Sequence, residues 1–521
     1  MARNSQQSHT LESHRLNLSE QRKATDISST EGAPERDAPE HQRAQVLAAP
    51  LHSRHLASAI SVTGLGSALT MAISTFASIA VARHGGPSGY ATFFAANMVV
   101  YVSAVLCSCG LPLALSKHIA SEERRGHHEI LYRSSSITLC LMLPIALVCG
   151  VIISMNLPRL EQYFNITLGR TFAITFPLIL LCAMLSDGIQ GLYSGLLRTR
   201  TVILITASGP LAMIGYILLR MAGVPLPIWG AVATSYVCSG LIACYLLWRD
   251  GLAHIPSSIR DVRPILKDIL PAATFTFFTI FSTWSDRWIA GTQLPVNAIG
   301  SYATAVVVIH AVLRVPTNIA YILVPASARV ALGGKEKSTR FNRAMISSYG
   351  LFAALATVLI MLNPAAVIHL LFGSEFVAAP VALLAMAPSL LASAVTIPFI
   401  SALTGSARSR LLTYLLGLTF LPRILLLSYC TWRWSLAGTA LAKVLADVLL
   451  AICCILLARK IGMGFPIRAL VKPFLTASVA FAVGLGALML NLPRLVAVSL
   501  AILVFLPALW RTVRSARLVT N

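Results

Sequence analysis

Apolar runs of about twenty residues recur from residue 57 to the C-terminus, separated by short polar segments. Each run is long enough to cross roughly 30 Å of hydrocarbon as a helix. Backbone polar groups inside a bilayer must be satisfied within the chain, which a helix achieves. The pattern predicts an all-α polytopic membrane protein with about fourteen transmembrane helices. The spans fall near 57–82, 89–116, 136–156, 171–196, 202–222, 227–248, 266–292, 298–327, 345–367, 378–405, 411–431, 436–458, 470–490 and 495–511. Residues 1–56 are polar, rich in Ser, Gln, Glu and His, and too poor in apolar side chains to fold alone. They read as a disordered cytoplasmic tail with no signal-peptide core.

Composition strengthens this picture. Charged residues are 12% and hydrophobic residues 56% of 521, whereas a soluble domain carries roughly 25% charged residues. The net charge of +22 raises the question of nucleic acid, and its distribution answers it. The tail is neutral, with seven basic and seven acidic residues, so the excess lies in and between the spans as 34 against 12. With the N-terminus inside, the cytoplasmic segments after the tail carry 24 Lys/Arg and the outer loops six: Arg83, Arg159, Arg170, Arg220, Arg433 and Arg494. That is the positive-inside bias rather than a nucleic-acid footprint, and it places both termini, including a short tail at 514–521, in the cytoplasm. The ten cysteines all fall in apolar stretches without metal-ligand spacing.

The chain also resembles itself at an offset near 210 residues. Gly89-Tyr90-Ala91-Thr92 opens the second span and Ser301-Tyr302-Ala303-Thr304 the eighth. The fourth span ends in Ser194-Gly195-Leu196-Leu197-Arg198-Thr199-Arg200, the tenth in Thr404-Gly405-Ser406-Ala407-Arg408-Ser409-Arg410. The sixth and twelfth begin at Gly230-Ala231 and Gly438-Thr439. An offset of six spans makes the repeat parallel: an N-lobe at 57–250, a C-lobe at 265–460, and an added helix pair at 468–513. Two such bundles facing a central cavity are the architecture of alternating-access transporters.

Several stretches resemble the lipid-linked oligosaccharide and polysaccharide flippases of the multidrug/oligosaccharidyl-lipid/polysaccharide exporter superfamily. They are Val81–Tyr90, Cys109–Leu115, Ser285–Ala290 with Ala298–Ala305, and Leu370–Phe376 with Gly405–Arg408. The resemblance implies two six-helix lobes, often with two extra C-terminal helices. It also implies translocation of an undecaprenyl-diphosphate-linked sugar across the bacterial inner membrane, alongside glycosyltransferases and a polysaccharide polymerase. The first span lacks the arginines that some of these flippases place there.

Ionisable residues at membrane depth are costly and are therefore candidates for function. Arg314 lies mid-span in the eighth helix with His310 one turn before it, giving one basic patch, and Pro316 is expected to loosen the backbone. A guanidinium is suited to a diphosphate; Arg423, directly after a kink expected at Pro422, is a second candidate. Lys443 and Asp447, four residues apart, read as a mutually neutralising pair that is also a candidate for ion coupling. Asp187 is read either as a proton or sodium site or as the cap of a helix break at Ser186-Asp187-Gly188. Asp286 and Arg287 read as a gate or interlobe contact, with water access near the outer end of the seventh span. Tyr90, Tyr302, Trp284, Trp288 and Trp229 read first as interfacial anchors, or as sugar-stacking groups where they face the cavity.

Excess basic charge favours an anionic headgroup over a cationic drug, the alternative cargo of the same fold. No nucleotide-binding Gly-rich Lys motif occurs, so a proton or sodium gradient is the expected energy source and no other cofactor is called for. An enzyme, such as a membrane glycosyltransferase or polymerase, is disfavoured by the short outer loops, and a scaffold by the buried charges.

Overall fold

The computed structural model describes residues 53–124, 128–196, 198–252, 263–332, 335–405, 409–462 and 468–520. The tail expected at 1–56 lies outside them up to residue 52, as do residues 406–408 of the repeat motif. The described residues form helices and connecting turns without strands.

The N-lobe comprises α1 (Ser53–Cys107), α2 (Leu111–Arg124), α3 (His128–Phe164), α4 (Arg170–Gly195), α5 (Thr199–Met221) and α6 (Gly230–Arg249). The C-lobe comprises α7 (Arg263–Gln293), α8 (Val296–Leu332), α9 (Lys335–Leu362), α10 (Pro364–Phe372), α11 (Ala379–Met386), α12 (Ser389–Gly405) and α13 (Ser409–Lys460). The added pair is α14 (Arg468–Met489) and α15 (Arg494–Thr520), so the segment read as a tail from 514 is helical to Thr520. That pair packs on α9 through Leu351, Ala354, Val358, Ala480, Ala501 and Phe505.

Nine described helices are long and apolar enough to cross a membrane, ten when the bent pair α11–α12 counts as one. Two of these are double-length. The first breaks at Gly86, whose φ of 63° suits a residue without Cβ, and the second at Ser435, φ 51°. Opening both, and adding α7 and α15, gives fourteen segments, as the hydropathy pattern predicts.

Helix breaks differ from the sequence reading in five places. The second span, read as continuous over 89–116, is interrupted between α1 and α2, where Cys109 and Gly110 take φ 49° and 72°. The tenth bends by 46° between α11 and α12. Conversely, α4 is unbroken through Ser186-Asp187-Gly188, so Asp187 caps no helix break, and α8 runs unbroken through Pro316. The break in α13 lies at Ser435 rather than Pro422.

Along the first half of α13 one face is lipid-compatible: Tyr414, Leu418, Leu421, Leu425, Tyr429 and Trp432 are exposed at three- and four-residue spacing. The opposite face buries Thr419, Arg423, Leu427 and Cys430. This periodicity turns Arg423 into the lobe.

Candidate functional site: a cavity between two unlike walls

A cavity of about 580 Å³ lies where the two lobes meet, walled by α1, α4, α5 and α6 on one side and α7 and α8 on the other. Such a volume lies within the usual range of ligand sites.

The C-lobe wall carries Trp284, Arg287, His310 and Arg314. The Arg287 guanidinium lies 4.0 Å from the Trp284 ring centre and 6.0 Å from that of Phe94, so an aromatic floor supports its charge. Trp284 in turn stacks on Tyr101 of the N-lobe, with centroids 4.9 Å apart. Arg287 Nη2 lies 2.9 Å from His310 Nδ1 and 3.1 Å from Nε2. A guanidinium only donates, so the ring nitrogen facing it must accept; His310 therefore serves Arg287 as a partner rather than adding a second cation. Arg287 Nε has no hydrogen-bond partner among the described residues. Arg314 is exposed at the cavity without an ion pair or hydrogen bond to any described residue.

Just behind this wall lies a closed charge cluster. Arg423 Nη1 meets Asp447 Oδ1 at 3.1 Å, Lys443 Nζ donates to Asp447 Oδ2 at 3.0 Å, and Arg423 Nε donates to Ser285 Oγ at 3.1 Å. Arg423 and Lys443 are buried, with side chains 5% and 7% exposed, which makes the pairing obligatory. Arg423, read as a diphosphate candidate, does not line the cavity. Lys443 and Asp447 do form the expected pair, with Arg423 as a third member. Asp286 is also fully buried, and its Oδ2 accepts from Tyr302 at 2.7 Å. Asp286 and Arg287 are thus buried rather than reached by water at a membrane edge. Only Arg287 lines the cavity.

The N-lobe wall is neutral apart from one carboxylate. Asp187 faces the cavity beside Ser186 and Gln190, and no described residue pairs with it. Gln190 Nε2 donates to Ser186 Oγ at 3.0 Å, and the Thr206 hydroxyl lies 3.2 Å from Gln190 Oε1. Tyr236 donates to Asn97 Oδ1 at 3.2 Å. Sequence reasoning missed these uncharged groups. The available signal was their four-residue spacing inside apolar spans, as in Asn97 with Tyr101, Ser186 with Gln190 and Ser235 with Ser239.

The cavity is shut at the end of the bundle where α1 breaks. The short helix α10 begins with Asn363, whose side chain accepts from the Ala366 amide, and Pro364. Its last carbonyls, those of Leu370 and Leu371, accept from the Arg83 guanidinium of the opposite lobe, the latter at 2.8 Å from Nε. A cation at a helix C-terminus also complements the dipole. Tyr90 packs on Phe372 and edge-on to Phe376, with centroids 6.4 and 6.3 Å apart. Gly300 lies so close to the Pro87 carbonyl that a Cβ there would clash. On the other side of the closure, Phe164 meets Trp288 edge-on at 5.1 Å. The aromatic residues read as interfacial anchors are therefore interior contacts here: Tyr90, Tyr302, Trp284 and Trp288 as described, and Trp229 against Phe172.

No family model matches the sequence, and no curated protein matches it. Solved structures do. The lipid II flippase MurJ in an inward closed conformation superimposes with a TM-score of 0.70 at 13% identity, over 87% of this chain and 99% of that one. An inward-facing multidrug resistance transporter of the MATE family, in the MOP superfamily, gives 0.64 at 18% identity over 78% and 96%. A MOP superfamily transporter from Pyrococcus furiosus, described as having a binding pocket of reverse polarity, gives 0.55 at 15% identity over 80% and 97%. With its two lobes, interlobe cavity and added helix pair, the chain shares the fold of these solved flippase and MATE-family structures.

Proposed function

We propose that this protein is a flippase that carries a polyprenyl-diphosphate-linked oligosaccharide across the bacterial inner membrane for polysaccharide synthesis or export. Alternating access between the two lobes moves the headgroup, and a proton or sodium gradient supplies the energy. The observation that carries the reading is the open guanidinium of Arg314 facing a polar cavity beside Arg287, whose buried Nε has no partner among the described residues. A diphosphate needs donors screened from bulk water, and guanidinium groups offer them in a planar, bidentate array. His310 holds Arg287 in place, and Arg423 acts from behind the wall by balancing Asp447. Both oxygens of Asp447 are occupied by Arg423 and Lys443, so no coupling ion is assigned there. On the positive-inside reading, the closed end at Arg83 faces outward and the cavity is loaded from the cytoplasm.

The test is export of the polymer in cells expressing Arg314→Ala. Export should stop while the protein stays at normal level in the membrane. Full export by that variant would refute the assignment. The lone Asp187 carboxylate favours a second reading, export of an organic cation. That activity would survive Arg314→Ala and fail in Asp187→Asn.

A further inference from the structure

The cavity separates two kinds of recognition chemistry onto two lobes. Its C-lobe wall carries the guanidinium groups of Arg287 and Arg314 with His310, Trp284 and the Thr283 hydroxyl, and no carboxylate. Its N-lobe wall offers an unpaired carboxylate, Asp187, flanked by the Gln190–Thr206 amide–hydroxyl pair and the Asn97–Tyr236 pair. Nothing anionic is stabilised by that second wall, because Asp187 would repel it. A carboxylate has two acceptor oxygens and no donor. Its natural ligand among uncharged groups is a pair of neighbouring hydroxyls, each donating a charge-assisted hydrogen bond. Amide and hydroxyl side chains beside it can donate as well as accept, and so can meet the remaining ring hydroxyls.

We infer that the N-lobe wall around Asp187, Gln190 and Thr206 is a glycosyl subsite that binds the first sugar of the headgroup through vicinal hydroxyls, while the C-lobe wall binds the diphosphate. The inference rests on the proposed flippase reading and adds a division of labour to it. A complete headgroup then bridges the lobes, with its charge on one and its sugar on the other. A bare polyprenyl diphosphate engages only one lobe. The cavity thereby favours the loaded carrier over the spent one, which is the discrimination a one-way carrier of glycosylated lipid requires. The volume of about 580 Å³ accommodates a diphosphate with a few sugar rings.

The experiment measures binding to the full-length protein in nanodiscs. The probes are undecaprenyl diphosphate and undecaprenyl diphosphate bearing a single glucose or N-acetylglucosamine. Wild type should bind at least one glycosylated lipid roughly tenfold or more tighter than the bare one. Asp187→Asn should bring that ratio close to one, and Gln190→Leu, a second variant free of any charge change, should lower it in the same direction. Arg314→Gln should weaken all three lipids together and preserve the ratio. A wild-type ratio of one, or a ratio unchanged in both N-lobe variants, would overturn the subsite. So would an Asp187→Asn protein weakened equally for every lipid with a lost pH dependence, because that marks an ion-coupling carboxylate. Unchanged affinities in Arg314→Gln would instead overturn the diphosphate reading, leaving the sugar ratio to stand or fall on its own.

Discussion

The two lobes are built on one repeated six-span plan, yet their interiors differ. In the C-lobe, Asp286, Arg287, Arg423 and Lys443 are all buried, and each is held by a partner such as Tyr302, His310 or Asp447. In the N-lobe the cavity wall carries the single carboxylate Asp187, while a partnered acidic group, Asp250, sits at the helix end with Arg198, Arg249 and Tyr193. The repeat tyrosines show the same divergence. Tyr302 donates to a buried carboxylate, whereas Tyr90 seals the closed end against Phe372 and Phe376. A repeat thus conserves where helices go and leaves each lobe free to hold different chemistry.

The largest expected effect breaks the C-lobe side of this contrast. Asp447→Asn leaves the Arg423 and Lys443 cations buried without a carboxylate and should cost about 3–5 kcal/mol. It would be read as a large fall in thermal stability in detergent. Asp187→Asn removes a carboxylate with no partner to lose, and should not lower stability. Equal losses in the two variants would erase the distinction between the lobes. Next comes Arg314→Gln, which should weaken binding of undecaprenyl diphosphate roughly ten- to a hundredfold with the melting temperature preserved.

A smaller loss is expected for Tyr302→Phe. It strips the hydrogen bond from Asp286 Oδ2, whose companion Oδ1 already lacks a partner among the described residues, at a cost of about 1–3 kcal/mol. The smallest belongs to Asp250 at the N-lobe surface. Partial burial raises its pKa, but hydrogen bonds from Arg249 and Tyr193 and the charges of Arg249 and Arg198 outweigh that, holding it below the usual carboxylate value. A lowered folded-state pKa stabilises above the unfolded value, about 3.9, and the contribution disappears as pH falls through the folded one. Both arginine partners are half exposed, so Asp250→Asn should cost under about 1 kcal/mol at neutral pH. That difference should vanish in acid.

Much of the scaffold was legible because it follows from local periodicity. Twenty-residue apolar runs give spans, and a 210-residue self-similarity gives lobes. A charge pair four residues apart, Lys443 with Asp447, meets because a helix brings i and i+4 together. What failed to be legible depends on contacts between distant helices. Arg423 chooses Asp447 and Ser285, 24 and 138 residues away, and Arg83 reaches carbonyls 287 and 288 residues away. Hydropathy carries no information on such pairing. It also cannot distinguish a tyrosine or tryptophan at a membrane surface from one packed between lobes, so Tyr90 and Trp288 read as anchors. Uncharged polar groups such as Gln190 and Thr206 went unnoticed because one hydroxyl or amide hardly lowers the mean hydropathy of a span.

The central claim is that Arg314 takes the diphosphate of a lipid-linked sugar as it crosses the membrane. The direct measurement is translocation of a fluorescent undecaprenyl-diphosphate sugar in proteoliposomes holding equal amounts of wild-type or Arg314→Gln protein. Wild type should give a rate well above protein-free vesicles, and the variant less than about a tenth of it. Equal rates in the two, with the variant folded, would contradict it.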